Sequence, residues 1–200
     1  HGMLVLMANH GGPSPVAGHR RGCGRGFVDC PGWYWAMAGA GAGGEPLMDG
    51  FSLRPAVDSD LAFARDLTRS TMLGYYIRND LLWQDEAFDV AWAGRRNLLI
   101  CQGARVLGFV SLSRDAQALY VRELHVLEAF RGQGAGAWTL EQVLELARQE
   151  RRGLLRLTVF KGNPAQRLYE RMGLRVVGED DCFWRMERLS DSLAGRLGDA

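Results

Sequence analysis

What the chain lacks narrows its function before any motif is considered. No segment approaches the roughly 20 continuous apolar residues that a membrane-spanning helix needs, so the chain reads as soluble, with no membrane role. With 24 Lys+Arg against 23 Asp+Glu, the net charge is only +1, and no global field draws the protein to nucleic acid or an anionic bilayer. The four cysteines, Cys23, Cys30, Cys101 and Cys182, are too few for a disulfide scaffold at this size. Cys101 and Cys182 fall in strand-like segments, where a small buried thiol is expected, so a reducing, cytoplasmic setting follows. His10, His19, Cys23 and Cys30 lack the paired C-x2-4-C or H-x3-5-H knuckles of a zinc site, and no metal is expected.

Periodicity is missing from the first 47 residues, which hold 12 of the 26 glycines together with Pro13, Pro15, Pro31 and Pro46. Such a stretch has little to bury. It reads as a glycine-rich leader or tag-derived segment, with Met48 as a candidate start. Arg20 and Arg21 followed by GWYWAMAGAGAGG have some features of a signal peptide, but the apolar part is short, glycine-rich and late. Residues 48–190 carry the domain and residues 191–200 a tail. A chain that is 47% hydrophobic and 10% aromatic can fill a proper core there.

From Phe51 onward the pattern becomes regular. FSLRP is a short strand, and Asp58 or Ser59 can cap a helix through LAFARDLTRSTM. The aromatic segment GYYIRNDLLW precedes a second helix from Asp85 to Ala93. Strands follow at residues 97–101, 105–113 and 118–127, the first two joined by a tight turn at Gln102-Gly103. Leu140, Val143, Leu144 and Ala147 then fall at i, i+3, i+4 and i+7 of an amphipathic helix ending near Gly153. LLRLTVF is a nearly continuous apolar strand, as expected of one covered on both faces. Asn163 caps a helix with Pro164 at its first position and Gly173 at its end. LRVVGE and CFWRMERL close the domain as a hairpin. The order β, α, α, β, β, β, α, β, α, β, β predicts an α/β protein, with a mixed sheet carrying helices on both faces.

Between the fourth strand and the amphipathic helix stands RGQGAG, residues 131 to 136. Gly132, Gly134 and Ala137 also satisfy the G-x-G-x-x-G/A pattern of a dinucleotide turn. That fold, however, needs its glycines after the first strand and an acidic residue about 20 positions on for the ribose. Here the spacer LEAF intervenes, and LLRLTVFKG carries no acid. A P-loop is excluded because no Lys-Ser or Lys-Thr follows the glycines. What survives is the physics shared by all such turns: a close backbone approach and free amides at a helix start, which favour an anion. Arg131 can add a charge-assisted contact.

The stretch LYVRELHVLEAFRGQGAGAWTLEQVLELA, followed by LTVFKGNPAQRLYERMGL, resembles the GNAT superfamily of acetyl-CoA-dependent N-acetyltransferases. Arg131, Gly134 and Gly136 match its R/Q-x-x-G-x-G/A signature, and NPAQRLYERMGL is similar to its Asn...Ala...Leu-Tyr...Gly helix. The element order agrees from Phe51 to about Leu189. The resemblance implies a mostly antiparallel sheet splayed between its fourth and fifth strands, with the pantetheine arm of acetyl-CoA in the gap. It assigns Leu124, His125 and Val126 to the acetyl and pantetheine end, and the amides of Gly132, Gln133, Gly134, Ala135, Gly136 and Ala137 to the pyrophosphate. Asn163 is placed near the thioester, while a plain helix cap explains the same residue.

Acetyl transfer to an amine needs a neutral nucleophile, a stabilised oxyanion and a proton for the departing thiolate. The resemblance points to Glu123 as the base; an ion pair with an arginine such as Arg122 or Arg105 is the alternative. It points to Tyr169 as the acid, although Tyr169 also lies on its helix's apolar stripe and could be core. The Val126 amide is placed to polarise the thioester carbonyl. His125, between Leu124 and Val126 on a buried strand, fits a satisfied core histidine better than a base. On the acceptor side the resemblance singles out Tyr75, Tyr76, Trp83 and Asp181. Aromatic walls near carboxylates suit a cationic amine, and core rings beside a solvated turn are the alternative. The expected acceptor is a small-molecule amine, or else a protein N-terminus or lysine. A non-catalytic acyl-CoA-binding module would keep the cradle without the chemistry, and a homodimer is compatible with the family.

Overall fold

The computed structural model describes residues 50–190; the leader with His10, His19, Cys23 and Cys30, the candidate start at Met48, and the tail at 191–200 all lie outside the described residues. The described residues form a seven-stranded sheet in the order β1-β2-β3-β4-β5-β7-β6. Its strands are β1 (Phe51–Pro55), β2 (Arg96–Gln102), β3 (Arg105–Arg114), β4 (Ala118–Val126), β5 (Leu154–Phe160), β6 (Arg175–Glu179) and β7 (Phe183–Leu189). The helices are α1 (Leu61–Arg78), α2 (Asp85–Ala93), α3 (Ala135–Gln149) and α4 (Ala165–Arg171). Every described pairing is antiparallel except β4 with β5, which is parallel. A parallel pair requires a crossover, and α3 supplies it.

Two apolar layers sandwich the sheet. On one face Leu140, Val143, Leu144 and Ala147 of α3 and Tyr169 of α4 share a buried cluster with Val110, Leu112, Val121, Leu155, Leu157 and Met186. This confirms the i, i+3, i+4, i+7 stripe as the buried face of α3. On the other face Ala64 and Leu67 of α1 and Phe88 and Trp92 of α2 pack on Leu99, Cys101 and Phe109. Among the described residues no helix is long and apolar enough to cross a membrane.

Three local expectations change. Helix α1 runs to Arg78 instead of stopping near Met72, so the GYYIR half of the aromatic segment is its last turns. Packing overrides the Gly74 break signal there, because Tyr75 and Tyr76 anchor on Phe160 at 5.4 and 5.8 Å between ring centroids. The start of α1 is held by Asp60 and not by Asp58 or Ser59. A 3-10 turn (Asp58–Asp60) precedes it, and the Asp60 carboxylate accepts from Val57 N at 2.9 Å and from both Arg54 nitrogens. The Arg54 hydrogen bond holds the Asp60 carboxyl below the ordinary carboxylate range. The β2–β3 turn falls at Gly103 and Ala104, since Gln102 pairs with Arg105 and Gly103 takes φ +57°.

A β-bulge in β4 positions the rest of the molecule. Ser111 pairs with Glu123 but Leu112 with Val121, leaving Arg122 as the extra residue. Alternation alone would send Val121, Glu123 and His125 to one face. With the bulge, Val121 joins the core under α3, while His125 lies 5.5 Å from Phe109 on the α1/α2 face. At the same point β4 leaves β5: the parallel pairs run only from Ala118 with Leu154 to Val121 with Leu157. Residues 122–126 and 158–160 therefore line an open wedge.

Close approach holds the far side of that wedge. A Cβ added to Gly108 of β3 would sit 2.0 Å from the His125 carbonyl oxygen and 2.9 Å from Val126 Cα. Backbone cannot yield there, so Gly108→Ala is expected to destabilise the protein by about 2 kcal/mol or more. Thermal unfolding should register a fall of several degrees in Tm, and an unchanged Tm would contradict the register.

Candidate active site

Four features surround the wedge. The first is the free edge of β4. Leu127 N donates to Leu107 O on β3 at 2.8 Å, so by ladder alternation the amides and carbonyls of Leu124 and Val126 turn away from β3 toward the gap. Consistent with this, the Val126 carbonyl is met from outside the sheet by Arg131 Nε at 2.9 Å. An extended ligand can add to such an edge as a strand would.

The second is the glycine turn. Gly132 and Gly134 take φ +74° and +91°, conformations that L side chains rarely adopt, and the left-handed Gly134 is the N-cap of α3. The first intrahelical bond is Trp138 N to Gly134 O at 2.9 Å. Among the described residues, none of the amides from Gly132 to Ala137 has an acceptor. Unpartnered N–H groups at a helix start, with the positive dipole end behind them, make an anion cradle. Gln133 turns its side chain back onto Ala129 O at 3.0 Å, so it offers the cradle only backbone. Gly136 also faces α4, where a Cβ would lie 3.2 Å from Leu168 Cδ2. Ala135 is buried behind the turn.

The third is the Glu123 cluster. Glu123 Oε2 lies 3.0 Å from His125 Nε2, and Glu123 Oε1 lies 3.5 Å from Arg95 Nη1. Arg95 reaches this carboxylate from the turn between α2 and β2. Tyr169 packs from α4 on the opposite face, in the cluster that includes Val121, Leu157 and Val159. Its hydroxyl has no hydrogen-bond partner among the described residues, yet it is not one of the sealed orphan atoms, which are Arg65 Nε, Asp89 Oδ1 and Arg152 Nε. Burial, with a smaller contribution from the Glu123 charge, pushes the Tyr169 phenol up to about 12. Tyr76, on α1, is also pushed up to about 12 by burial and then by Glu123. Two neutral phenols from opposite faces thus share the field of one carboxylate.

The fourth is a wall of rings. Tyr76 meets Trp83 edge-on at 5.5 Å, Tyr75 stacks on Phe160, and Phe160 lies 4.3 Å from Phe183. Arg78 lies over Tyr75 at 4.5 Å. Tyr75, Tyr76 and Trp83 are therefore brought together, with Phe160 as the ring that periodicity did not single out. The Trp83 indole is already satisfied, donating to Asp85 Oδ1 at 2.6 Å. Asp181 is exposed in the β6–β7 turn and makes no described contact with these rings.

Two residues have occupations of their own. Asn163 Oδ1 accepts from Ala165 N at 2.9 Å, which makes it the cap of α4. Arg131 spans from the Val126 carbonyl to Thr71 Oγ1 at 3.4 Å, tying the glycine turn to β4 and α1. Among the described residues no cluster of His, Cys, Asp or Glu could hold a metal.

The family model of the GNAT acetyltransferases matches residues 63–174, more than half of the chain. The chain belongs to that family. No curated protein matches it. Solved structures share the fold at low identity. The ribosomal-protein-S18-alanine N-acetyltransferase from Escherichia coli is 18% identical over 76% of this chain and 100% of its own, with a TM-score of 0.58. The spermidine N-acetyltransferase from Vibrio cholerae, in complex with CoA and spermine, is 17% identical over 71% and 96%, with a TM-score of 0.58. The PaiA N-acetyltransferase from Thermoplasma acidophilum, in complex with coenzyme A, is 18% identical over 70% and 99%, with a TM-score of 0.56.

The buried phenols give a direct check. Tyr76 and Tyr169 have values near 12, above the ordinary value of about 10, so both stay neutral through pH 10. Because the raised value belongs to the folded state, their contribution to stability is complete below about pH 10 and is lost as pH rises toward 12. Ultraviolet titration should show two late-ionising tyrosines, and Tyr169→Phe should remove one of them. Ionisation of every tyrosine near pH 10 in the folded protein would contradict the burial of both.

Proposed function

We propose that the protein transfers the acetyl group of acetyl-CoA to a primary amine of a small molecule, by direct attack while both substrates are bound. The single observation that carries this reading is the opening of β4 from β5 beside a row of unpartnered amides, with one carboxylate and one phenol at the apex. The free edge at Leu124, His125 and Val126 suits the pantetheine arm, and the amides of residues 132–137 suit the pyrophosphate. Acetyl-CoA supplies the activated acyl carbon and a thiolate leaving group. Arg131 braces the turn instead of reaching into it, and Asn163 acts by fixing the start of α4, on which Tyr169 rides.

Glu123 takes the proton that the acceptor ammonium must lose before its neutral amine attacks; Tyr169 gives its proton to the sulfur as the C–S bond breaks, and the second nitrogen proton, shed after attack, restores the phenol. Burial that pushes the Tyr169 phenol up to about 12 keeps it protonated at neutral pH, so that it stands ready as a donor. The Val126 amide, turned to the gap, is the donor for the developing oxyanion. Tyr75, Tyr76 and Trp83 form an acceptor wall that excludes water from the amine. Asp181 lies farther out, where it can meet only a distal part of an extended acceptor. The family and its neighbours, one crystallised with spermine and one named for a ribosomal protein, support acyl transfer without fixing the acceptor. The free thiols Cys101 and Cys182 fit a reducing, cytoplasmic setting in which acetyl-CoA is made.

The test is release of the coenzyme A thiol in the presence of polyamines, amino acids, aminoglycosides and peptides. Turnover is expected with one of the small amines, and both Glu123→Gln and Tyr169→Phe should lower kcat about 100-fold. Turnover with peptides alone would move the acceptor to polypeptides. Binding of acetyl-CoA with no turnover on any acceptor would make the protein an acyl-CoA-binding module.

A further inference from the structure

We infer that Arg95 is a positioning residue for the reaction: with His125 it clamps the Glu123 carboxylate in one orientation and supplies its countercharge. The inference rests on the reading of Glu123 as the base. The three side chains are 13%, 7% and 11% exposed, so the cluster is an enclosed ion pair, unlike the surface pairs elsewhere. Each oxygen has its own partner, Oε1 to Arg95 and Oε2 to His125. A carboxylate has about four lone-pair positions, so two remain for an incoming N–H while the plane of the group is fixed.

Arg95 is itself held in place. Asn97 Nδ2 donates to the Arg95 carbonyl at 3.3 Å and to the Trp92 carbonyl at 2.8 Å. Ser111 Oγ, directly across the β3–β4 pair from Glu123, donates to Asn97 Oδ1 at 2.6 Å. The backbone that carries the guanidinium is therefore hydrogen-bonded through Asn97 to the cross-strand neighbour of the carboxylate it clamps. His125 is fixed by its ring contact with Phe109 at 5.5 Å. The charged and titratable groups facing Glu123 are Arg95 from the α2–β2 turn, Arg122 and His125 from β4, Tyr76 from α1 and Tyr169 from α4. Arg95 meets the carboxylate directly, with Nη1 3.5 Å from Oε1.

The clamp bears on the acceptor too. A carboxylate already compensated by an arginine exerts little pull on a distant ammonium, so Glu123 removes a proton at contact without acting as a long-range cation trap. Arg95 also lines a cleft of about 350 Å³, with Ala56, Asp58, Asp89, Trp92 and Asn97 among its walls. Truncating Arg95 would open that cleft toward Glu123 and leave a route for a small cation to replace the lost group.

The experiment compares wild type, Arg95→Ala, Arg95→Lys and Glu123→Gln in coenzyme A thiol release at saturating acetyl-CoA, with or without guanidinium chloride at millimolar concentration. Arg95→Ala should lower kcat about tenfold or more while leaving the KM for acetyl-CoA unchanged. Arg95→Lys, or guanidinium added to Arg95→Ala, should restore part of the rate. If Glu123→Gln is impaired while Arg95→Ala keeps the wild-type kcat, or if neither lysine nor guanidinium restores any rate, the clamp is overturned and the base stands. If Glu123→Gln turns over like wild type, the base reading falls and the clamp falls with it.

Discussion

Everything at the site depends on one residue's worth of mismatch in β4. Arg122 has no counterpart on β3, and this single insertion does two things at once. It rotates the strand so that Val121 fills the core under α3 while Glu123 and His125 emerge on the α1/α2 face. It also marks the place where β4 stops pairing with β5. A buried backbone edge without hydrogen bonds is costly in a folded protein unless solvent or a ligand satisfies it. The wedge keeps such an edge, and the glycine turn immediately above it keeps a second set of unpartnered amides. Two adjacent sets of open donors, one strand-like and one at a helix start, describe a ligand that is extended at one end and anionic at the other.

The two faces of the sheet contribute different chemistry to that opening. The α3/α4 face delivers Tyr169, a phenol embedded in apolar packing, and the same cluster shapes the floor of the wedge. The α1/α2 face delivers the carboxylate cluster and the ring wall, joined by contacts that run from Phe183 through Phe160, Tyr76, Trp83, Phe88, Trp92 and Phe109 to His125. Such a continuous set of rings fixes the height of α1 and α2 above the sheet, and with it the distance from Tyr76 to the groups below. The electrostatics agree with this division, since the Glu123 charge is felt by a tyrosine from each face.

Much of this was legible from residue order. Periodicity placed α2 at Asp85–Ala93 and gave the buried stripe of α3, because those helices pack in the ordinary way and their sequences show it. The glycine turn was readable through the elements around it, not through its own spelling. Contacts made by folding were hidden. Arg95 lies 28 positions before Glu123, and nothing local distinguishes it from Arg96 beside it, which turns to Glu150 instead. Alternation along β4 pointed to one face until the bulge split it, and a bulge leaves no mark in a run such as VREL. Gly136, read as part of the anion turn, also faces Leu168, whose Cδ2 a Cβ would meet at 3.2 Å, and Gly108 looked like an ordinary strand residue although the backbone of β4 comes within 2.0 Å of where its Cβ would be. Helix α1 outran its expected end because the rings that stabilise its last turns come from β5, more than 80 residues away in sequence.

The central claim is that the wedge and the glycine turn bind the two ends of acetyl-CoA, with the amides of residues 132–137 receiving the pyrophosphate. Calorimetric titration of the protein with acetyl-CoA and with acetyl-pantetheine, which lacks the pyrophosphate and the nucleotide, tests it most directly. Saturable one-to-one binding of acetyl-CoA, with acetyl-pantetheine at least about 100-fold weaker for want of the anion contacts, is the predicted result. Absence of acetyl-CoA binding, or equal affinity for the two ligands, would contradict it.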